Sequence, residues 1–399
     1  MRPHRGVAGR AAARAAATAV SRFLLVVPPL TGHVNPLASV AAELGDRGHA
    51  VAWVGSSGAI ADLVPEGQHV FDAPGHELFA SFNPQTLGRL DVVREAFLRV
   101  AVPLATSMLP AVENAIDAFR PDLVVADQHA LAGGLAARRR GLTWATSAPT
   151  AHATSPAVTG FAALTRWIDA HVADIERSAG LEPLGTRAEL SRALVIAYTT
   201  ANFAGGSLYP HEFRFVGPCF RKRPERAPFP WDELGPPPRL VAIFGTIVAA
   251  HAAPVQRAVI EALAGSPVRV VMPDPAGGVD GAPENVLVRP YVPYAALLPH
   301  MDAVVTHGGY NTVSEALALG VPLVVAPMAF DQGVVAEQVV ATGTGIRLRA
   351  SRLRVPELRE AIFEVLEEPG YRARAREVAE SFRAAGGEDA AADALEALV

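Results

Sequence analysis

The stretch Ala303-Val304-Val305-Thr306-His307-Gly308-Gly309-Tyr310-Asn311-Thr312 decides how this 399-residue chain is read. Its apolar opening predicts a buried strand, its two glycines a tight turn, and the apolar spacing of Val313, Ala316 and Leu317 a helix. A glycine-rich turn between strand and helix exposes backbone N–H groups at the positive end of the helix, where a diphosphate is stabilised. His307 and Thr312 add side-chain donors, and Glu315, one turn further on, is an acceptor suited to vicinal ribose hydroxyls. After Gly320-Val321-Pro322 a second apolar run leads to Asp331-Gln332, a carboxylate and an amide suited to the hydroxyls of a sugar. Singly, each has a plainer reading: His307 as a turn histidine, Glu315 on a solvated helix face, Asp331 as a helix cap. Their co-occurrence points to a nucleotide sugar.

Working outward, the length predicts two domains. Half of the residues are hydrophobic and 19% charged, the balance of an α/β protein whose parallel strands are buried on both faces. A net charge of -5 carries no basic footprint for nucleic acid, so the expected partners are small molecules. Cys219 is the only cysteine, which excludes an intramolecular disulfide and a cysteine-based metal cluster and points to a reducing cytoplasm. No stretch approaches about 20 uninterrupted apolar residues, so no integral membrane segment is expected. Residues 1–21 are read as a disordered tail, or as the product of a start codon set too early.

In the first half, strand 23–27, a loop Thr31-Gly32-His33-Val34-Asn35-Pro36, a helix over 36–47 begun by Pro36 and strand 50–54 form a βαβ unit. A later strand, 123–126, ends in Asp127 before an apolar helix at 131–139. His33 and Asp127 thus stand at strand carboxyl ends, where an open α/β sheet holds its ligand. An unperturbed imidazole titrates near 6.5, so a neutral His33 can take a proton from a hydroxyl, with Asp127 holding the second ring nitrogen. A proline-rich linker spans 218–238, and strands near 240–244, 268–272, 286–288, 303–306 and 323–326 make a second α/β series. The last helix, 386–399, is expected to pack back on the first domain.

Tyr291-Val292-Pro293, Leu298-Pro299-His300, Thr306 to Thr312, Glu315, Gly320-Val321-Pro322 and Asp331-Gln332 together resemble the donor signature of family-1, UDP-glycosyltransferase-like enzymes. The resemblance is to the bacterial branch acting on macrolides, polyketides and carotenoids, and it covers most of the chain from Arg22 on. It implies a GT-B fold, two Rossmann-like doubly wound domains facing a deep cleft: 22–217 for the acceptor, 239–380 for the donor and 381–399 as the returning helix. It implies inverting transfer of a sugar from a UDP or TDP donor to a hydroxyl. His33 would be the base and Asp127 its partner. Thr246, Tyr291, Val292, His307, Gly308, Gly309, Asn311, Thr312, Glu315, Asp331 and Gln332 would bind the donor.

Two departures bear on the donor. Ile243-Phe244-Gly245-Thr246 stands where many relatives have Ser before the Gly-Thr turn, and Tyr294 follows Pro293 where many have Gln, which leaves uridine against thymidine open. Asp331-Gln332 favours an ordinary hexose. The chain has no Asp-x-Asp for a divalent ion, so no metal or other cofactor is expected. Phe79, Phe82, Phe161 and Trp167 suggest an apolar cradle for a lipophilic acceptor, helix packing being the alternative for each. A monomer or homodimer is expected. A nicotinamide dehydrogenase is disfavoured, since residues 28–36 hold no Gly-x-Gly-x-x-Gly. A lipid-linked or cell-wall acceptor, or a non-catalytic binding protein of the same fold, remain alternatives.

Overall fold

The computed structural model describes residues 20–80, 89–154, 162–206, 209–220, 228–245, 253–275, 277, 279 and 281–399. The first half supplies strands β1 (Arg22–Val26), β2 (Ala50–Gly55), β3 (His69–Asp72), β4 (Leu123–Asp127), β5 (Trp144–Ala148), β6 (Val195–Ala197) and β7 (Phe213–Phe215). They pair in parallel in the order β3-β2-β1-β4-β5-β6-β7. Phe23, Leu24, Leu25 and Val26 of the central strand are fully buried, because helices cover both faces. On one lies α1 (Thr31–Asp46); on the other lie α2 (Val102–Phe119) and α3 (Leu131–Arg139). A strand buried on both sides cannot alternate, so the sequence shows unbroken apolar runs. Helix α4 (Ala162–Ser178) follows β5.

The second half repeats the plan with β8 (Arg239–Ile243), β9 (Arg269–Pro273), β10 (Val286–Arg289), β11 (Ala303–Thr306), β12 (Leu323–Val325) and β13 (Gly345–Arg347). All are parallel, in the order β10-β9-β8-β11-β12-β13. Its covering helices are α5 (Ala253–Leu263), α6 (Tyr310–Ala318), α7 (Gln332–Ala341) and α8 (Val355–Glu367), followed by α9 (Pro369–Ala384) and α10 (Gly387–Glu396). The expected doubly wound α/β architecture is therefore present twice.

The strand orders decide where a ligand sits. In each sheet the chain winds outward to one side and then returns to the other flank of its first strand. The crevices open at the carboxyl ends of β1 and β4 in the first sheet and of β8 and β11 in the second. His33 follows β1 and Asp127 ends β4; Gly245 follows β8 and His307 follows β11.

One expectation at this crevice is corrected. Residues 31–36 are not a loop ended by a helix-starting proline: α1 begins at Thr31, and Pro36 lies inside it. The chain accommodates an interior proline here because the Gly32 carbonyl it leaves without a helix donor accepts a hydrogen bond from elsewhere, the Asn311 side chain. The helical run Val93–Phe119 is apolar for its length, although Arg94, Glu95, Arg99, Glu113 and Asp117 interrupt it. It is long enough to cross a membrane, and its most apolar 18-residue window has a mean hydropathy of 1.3. Its α2 portion nevertheless buries Leu104, Met108, Val112 and Ile116 against the first sheet.

The halves meet through side chains of both. Phe203 lies edge-on to Phe382 of α9, ring centres 5.5 Å apart, and Phe229, within the proline-rich crossover, is buried in the second domain's core. Helix α10 returns to α1, sharing a core with Val40 and Leu44 through Ala391, Ala392 and Leu395. Arg47, just past α1, donates to Glu43 at 2.8 Å, Asp393 at 2.5 Å, Glu396 at 2.9 Å and Asp389 at 3.3 Å. His49 reaches Glu396 at 2.9 Å. A largely buried guanidinium serving four carboxylates holds the last helix down, so Arg47→Ala should lower stability by about 2 kcal/mol. Urea unfolding and limited proteolysis check this: a lowered midpoint with new cutting near Gly386 is expected, and an unchanged midpoint would contradict it.

Candidate functional site

A carboxylate at the end of a central strand is out of reach of water, and Asp127 is only 2% exposed. Its partner is His33, in the first turn of α1 and itself 7% exposed. The His33 Nδ1 lies 3.0 and 2.9 Å from the two Asp127 oxygens. A carboxylate only accepts, so Nδ1 carries the proton and Nε2 is left as the basic nitrogen. The His129 main-chain N–H fixes the carboxylate further, donating to Asp127 Oδ1 at 2.8 Å. The pair foreseen from the sequence is thus brought together.

Two histidines that the sequence reading passed over stand beside it. The His129 ring is 4.8 Å from that of His33, and the His152 ring 6.2 Å from that of His129. Burial pushes both below the ordinary imidazole value, His129 helped by His33 and His152. Two neutral rings therefore line the approach to His33. His129 had a visible signal in standing two residues past a strand-end carboxylate, whereas His152 had none. His33, Asp127 and His129 bring one ligand atom each within 4.8 Å of one another, and among the described residues they are the one group so placed to hold a metal ion.

On the other side, β11 ends at Thr306 and Gly309 caps α6, which begins at Tyr310. The first N–H groups of α6 have no partner within the helix and point out of its N-terminus. Gly308 takes φ 86°, a left-handed conformation that glycine adopts without strain. His307 fills the space between the glycines: a Cβ at Gly245 or Gly309 would come within 2.8 or 2.6 Å of its ring. Burial pushes the His307 ring down to about 4, against a main-chain contact from Ile243. It is therefore neutral at physiological pH, with one ring N–H and no charge.

The other expected donor residues divide. Thr312 and Glu315 are half-buried on the exposed side of α6. Tyr294 donates its hydroxyl to the Thr312 carbonyl at 2.8 Å, and burial together with Glu315 raises its phenol well above the ordinary value. Tyr291 is 43% exposed, while the Val292 side chain is 4% exposed and belongs to the core, leaving only its main chain to meet a ligand. Gln332 spends its carbonyl oxygen on the N–H groups of Met328 and Ala329, both at 2.9 Å, which leaves its amide N–H groups to offer. Thr246 lies outside the described residues.

Asn311 and Asp331 reach across to the first domain. Asn311 Nδ2 donates to the Gly32 carbonyl at 2.5 Å, and Asp331 Oδ2 accepts from the Ala151 N–H at 3.1 Å. Burial pushes the Asp331 carboxyl up, opposed by that N–H, by its own main chain and by His33 and His152. Asp331 and His33 are therefore close enough to act on each other electrostatically.

The aromatic cradle is less coherent than expected. Phe79 packs against the first domain's core, which favours its structural reading, and Phe82 and Phe161 lie outside the described residues. Trp167 is half-buried beside His171, Phe97 and Arg94, at 4.1, 5.7 and 5.8 Å, and no ring contact joins it to Phe79 among the described residues.

A family model described as "Erythromycin biosynthesis protein CIII-like, C-terminal domain" matches residues 267–398. The 4'-demethylrebeccamycin synthase of Lentzea aerocolonigenes is 30% identical over 424 residues, covering 95% of this chain and all of the relative. The demethyllactenocin mycarosyltransferase of Streptomyces fradiae is 27% identical over 406 residues, covering 95% of this chain and 87% of the relative. Among solved structures, the calicheamicin glycosyltransferase CalG4 superimposes with a TM-score of 0.78 at 26% identity, over 95% of this chain and 98% of that one.

The depressed His307 value has a consequence for stability. As pH falls below about 6.5 the unfolded chain takes up this proton and the folded chain does not, so stability is lost from pH 6.5 toward 4. Between pH 7 and 5 the residue should account for about 2 kcal/mol. Urea unfolding of wild type and His307→Gln at both pH values measures it: the loss on acidification should be smaller in the variant, and equal losses would contradict the burial argument.

Proposed function

This chain belongs to the GT-B glycosyltransferases of antibiotic and natural-product biosynthesis, and from that premise we propose how it works and on what. The reading is transfer of a hexose from a UDP or TDP sugar to a hydroxyl of a lipophilic natural product such as a polyketide, macrolide or carotenoid, with inversion and without a metal. The observation that carries it is the buried His33–Asp127 pair, its basic Nε2 left for the cleft that the glycine turn at His307 faces.

In this reaction His33 Nε2 takes the acceptor hydroxyl's proton as that oxygen attacks the anomeric carbon and the bond to the leaving phosphate breaks. Asp127 holds the proton-bearing Nδ1 and stabilises the imidazolium that forms. The N-terminus of α6, with the neutral His307 N–H, receives the charge that develops on the departing diphosphate. Helix dipole and neutral donors do there what a divalent ion does elsewhere, consistent with a chain that has no Asp-x-Asp. A single displacement needs one base and one stabilised leaving group, and it inverts the anomeric centre. Glu315 suits the ribose, and Asp331 with the amide of Gln332 suits the hydroxyls of an ordinary hexose. The main chain at Val292 and the exposed Tyr291 suit the base. A cytoplasmic monomer or homodimer fits a chain whose one cysteine, Cys219, is buried with its thiol pushed up by burial.

The test is His33→Ala, assayed with a panel of UDP and TDP sugars against hydroxylated polyketides and macrolides. Turnover should fall by at least about 100-fold. Nucleoside-diphosphate affinity, read by titration, should stay within about two-fold, since the base lies on the other domain. Wild-type turnover in His33→Ala would overturn the assignment of the base.

A further inference from the structure

An α-helix gives each carbonyl a donor four residues on, and a proline removes that donor. In α1 the residue four beyond Gly32 is Pro36, so the Gly32 carbonyl, one residue before His33, lacks its regular α-helical donor. The Asn311 side chain supplies one from 279 residues away, through an N–H donated over 2.5 Å. Gly32 itself makes the approach possible: a Cβ there would come within 3.2 Å of Asn311 Nδ2, tighter than ordinary contact. Three residues are thus matched. Pro36 empties the carbonyl, Gly32 clears the space and Asn311 fills it.

Asn311 sits in the first turn of α6, on the glycine turn that carries His307, whereas Gly32 sits in the first turn of α1, beside the base. We propose that Asn311 is a positioning residue for His33, a cross-domain latch onto the carbonyl that Pro36 leaves open, which sets the catalytic turn of α1 when the donor turn is seated. The inference rests on the proposed base. It gives Asn311 a part in the acceptor domain's geometry, whereas the sequence resemblance placed this residue among those that bind the donor. Asn311 acts through His33 and is not itself catalytic, so its loss should appear in kcat rather than in donor affinity.

The test is a double-mutant cycle on the full chain with Asn311→Ala, Pro36→Ala and the pair, read in kcat, in donor KM and in nucleoside-diphosphate affinity. Loss of one hydrogen bond predicts about a five-fold drop in kcat for Asn311→Ala, with nucleotide affinity within about two-fold. In Pro36→Ala the new N–H bonds the Gly32 carbonyl inside the helix. Removing Asn311 from that background should then cost less than about two-fold, because coupled residues are not additive. Asn311→Asp, which keeps the shape but turns an acceptor-only carboxylate on the Gly32 carbonyl, should lower kcat at least as far as Asn311→Ala. An equal cost of Asn311→Ala in both backgrounds overturns the latch. So does a ten-fold loss of nucleotide affinity at unchanged kcat, which would place Asn311 on the diphosphate. The same cycle read in urea unfolding keeps the two ideas apart. Coupling between positions 36 and 311 without any transferase activity would uphold the contact and overturn the proposed reaction. Activity without coupling would do the reverse.

Discussion

A carboxylate buried at the end of a central strand must be paired, and the Asp127–His33 contact is the pairing around which the first domain's crevice is arranged. Neither residue reaches the other through local sequence, since 94 positions separate them. The strand order brings them together: β1 and β4 are neighbours because the chain reverses its winding there, and each residue stands where its strand gives out. The contact also decides the tautomer. Once Nδ1 is committed to the carboxylate, Nε2 is the nitrogen left to accept a proton.

The second domain solves the complementary problem with the same topology. Its reversal brings β8 beside β11, and the residues at their ends are a glycine and a histidine packed against each other. Burial without a carboxylate keeps His307 neutral, whereas the carboxylate beside His33 holds its Nδ1 proton and fixes its tautomer. One residue type thus takes two roles through its partner alone. The two crevices are useful only if they face each other, which is why the contacts from Asn311 to Gly32 and from Asp331 to Ala151 matter beyond their individual strength.

Much of this was legible in the sequence. Strand β11 runs over Ala303–Thr306 as the apolar run predicted, and the glycine turn and helix follow as expected. His33 and Asp127 could be read because strand carboxyl ends are where parallel sheets hold ligands. What the sequence hid depends on partners far along the chain. Pro36 reads as a helix start by propensity, and only the position of Asn311 shows how a helix tolerates it five residues later. Phe79 and the Val292 side chain look available because an apolar residue carries no mark of which core claims it. His129 and His152 become informative only when their rings are seen beside His33. Tyr294, unexpected next to Pro293, turns out to brace α6 through the Thr312 carbonyl.

The central claim is that one base, His33, drives a single displacement at the anomeric carbon across this cleft. The anomeric configuration of the product, read by proton NMR after transfer from an α-linked nucleotide glucose, tests it most directly. The account predicts a β-linked product, recognised by its large diaxial coupling. An α-linked product would require two displacements or front-side attack, and would contradict the role given to His33 and Asp127.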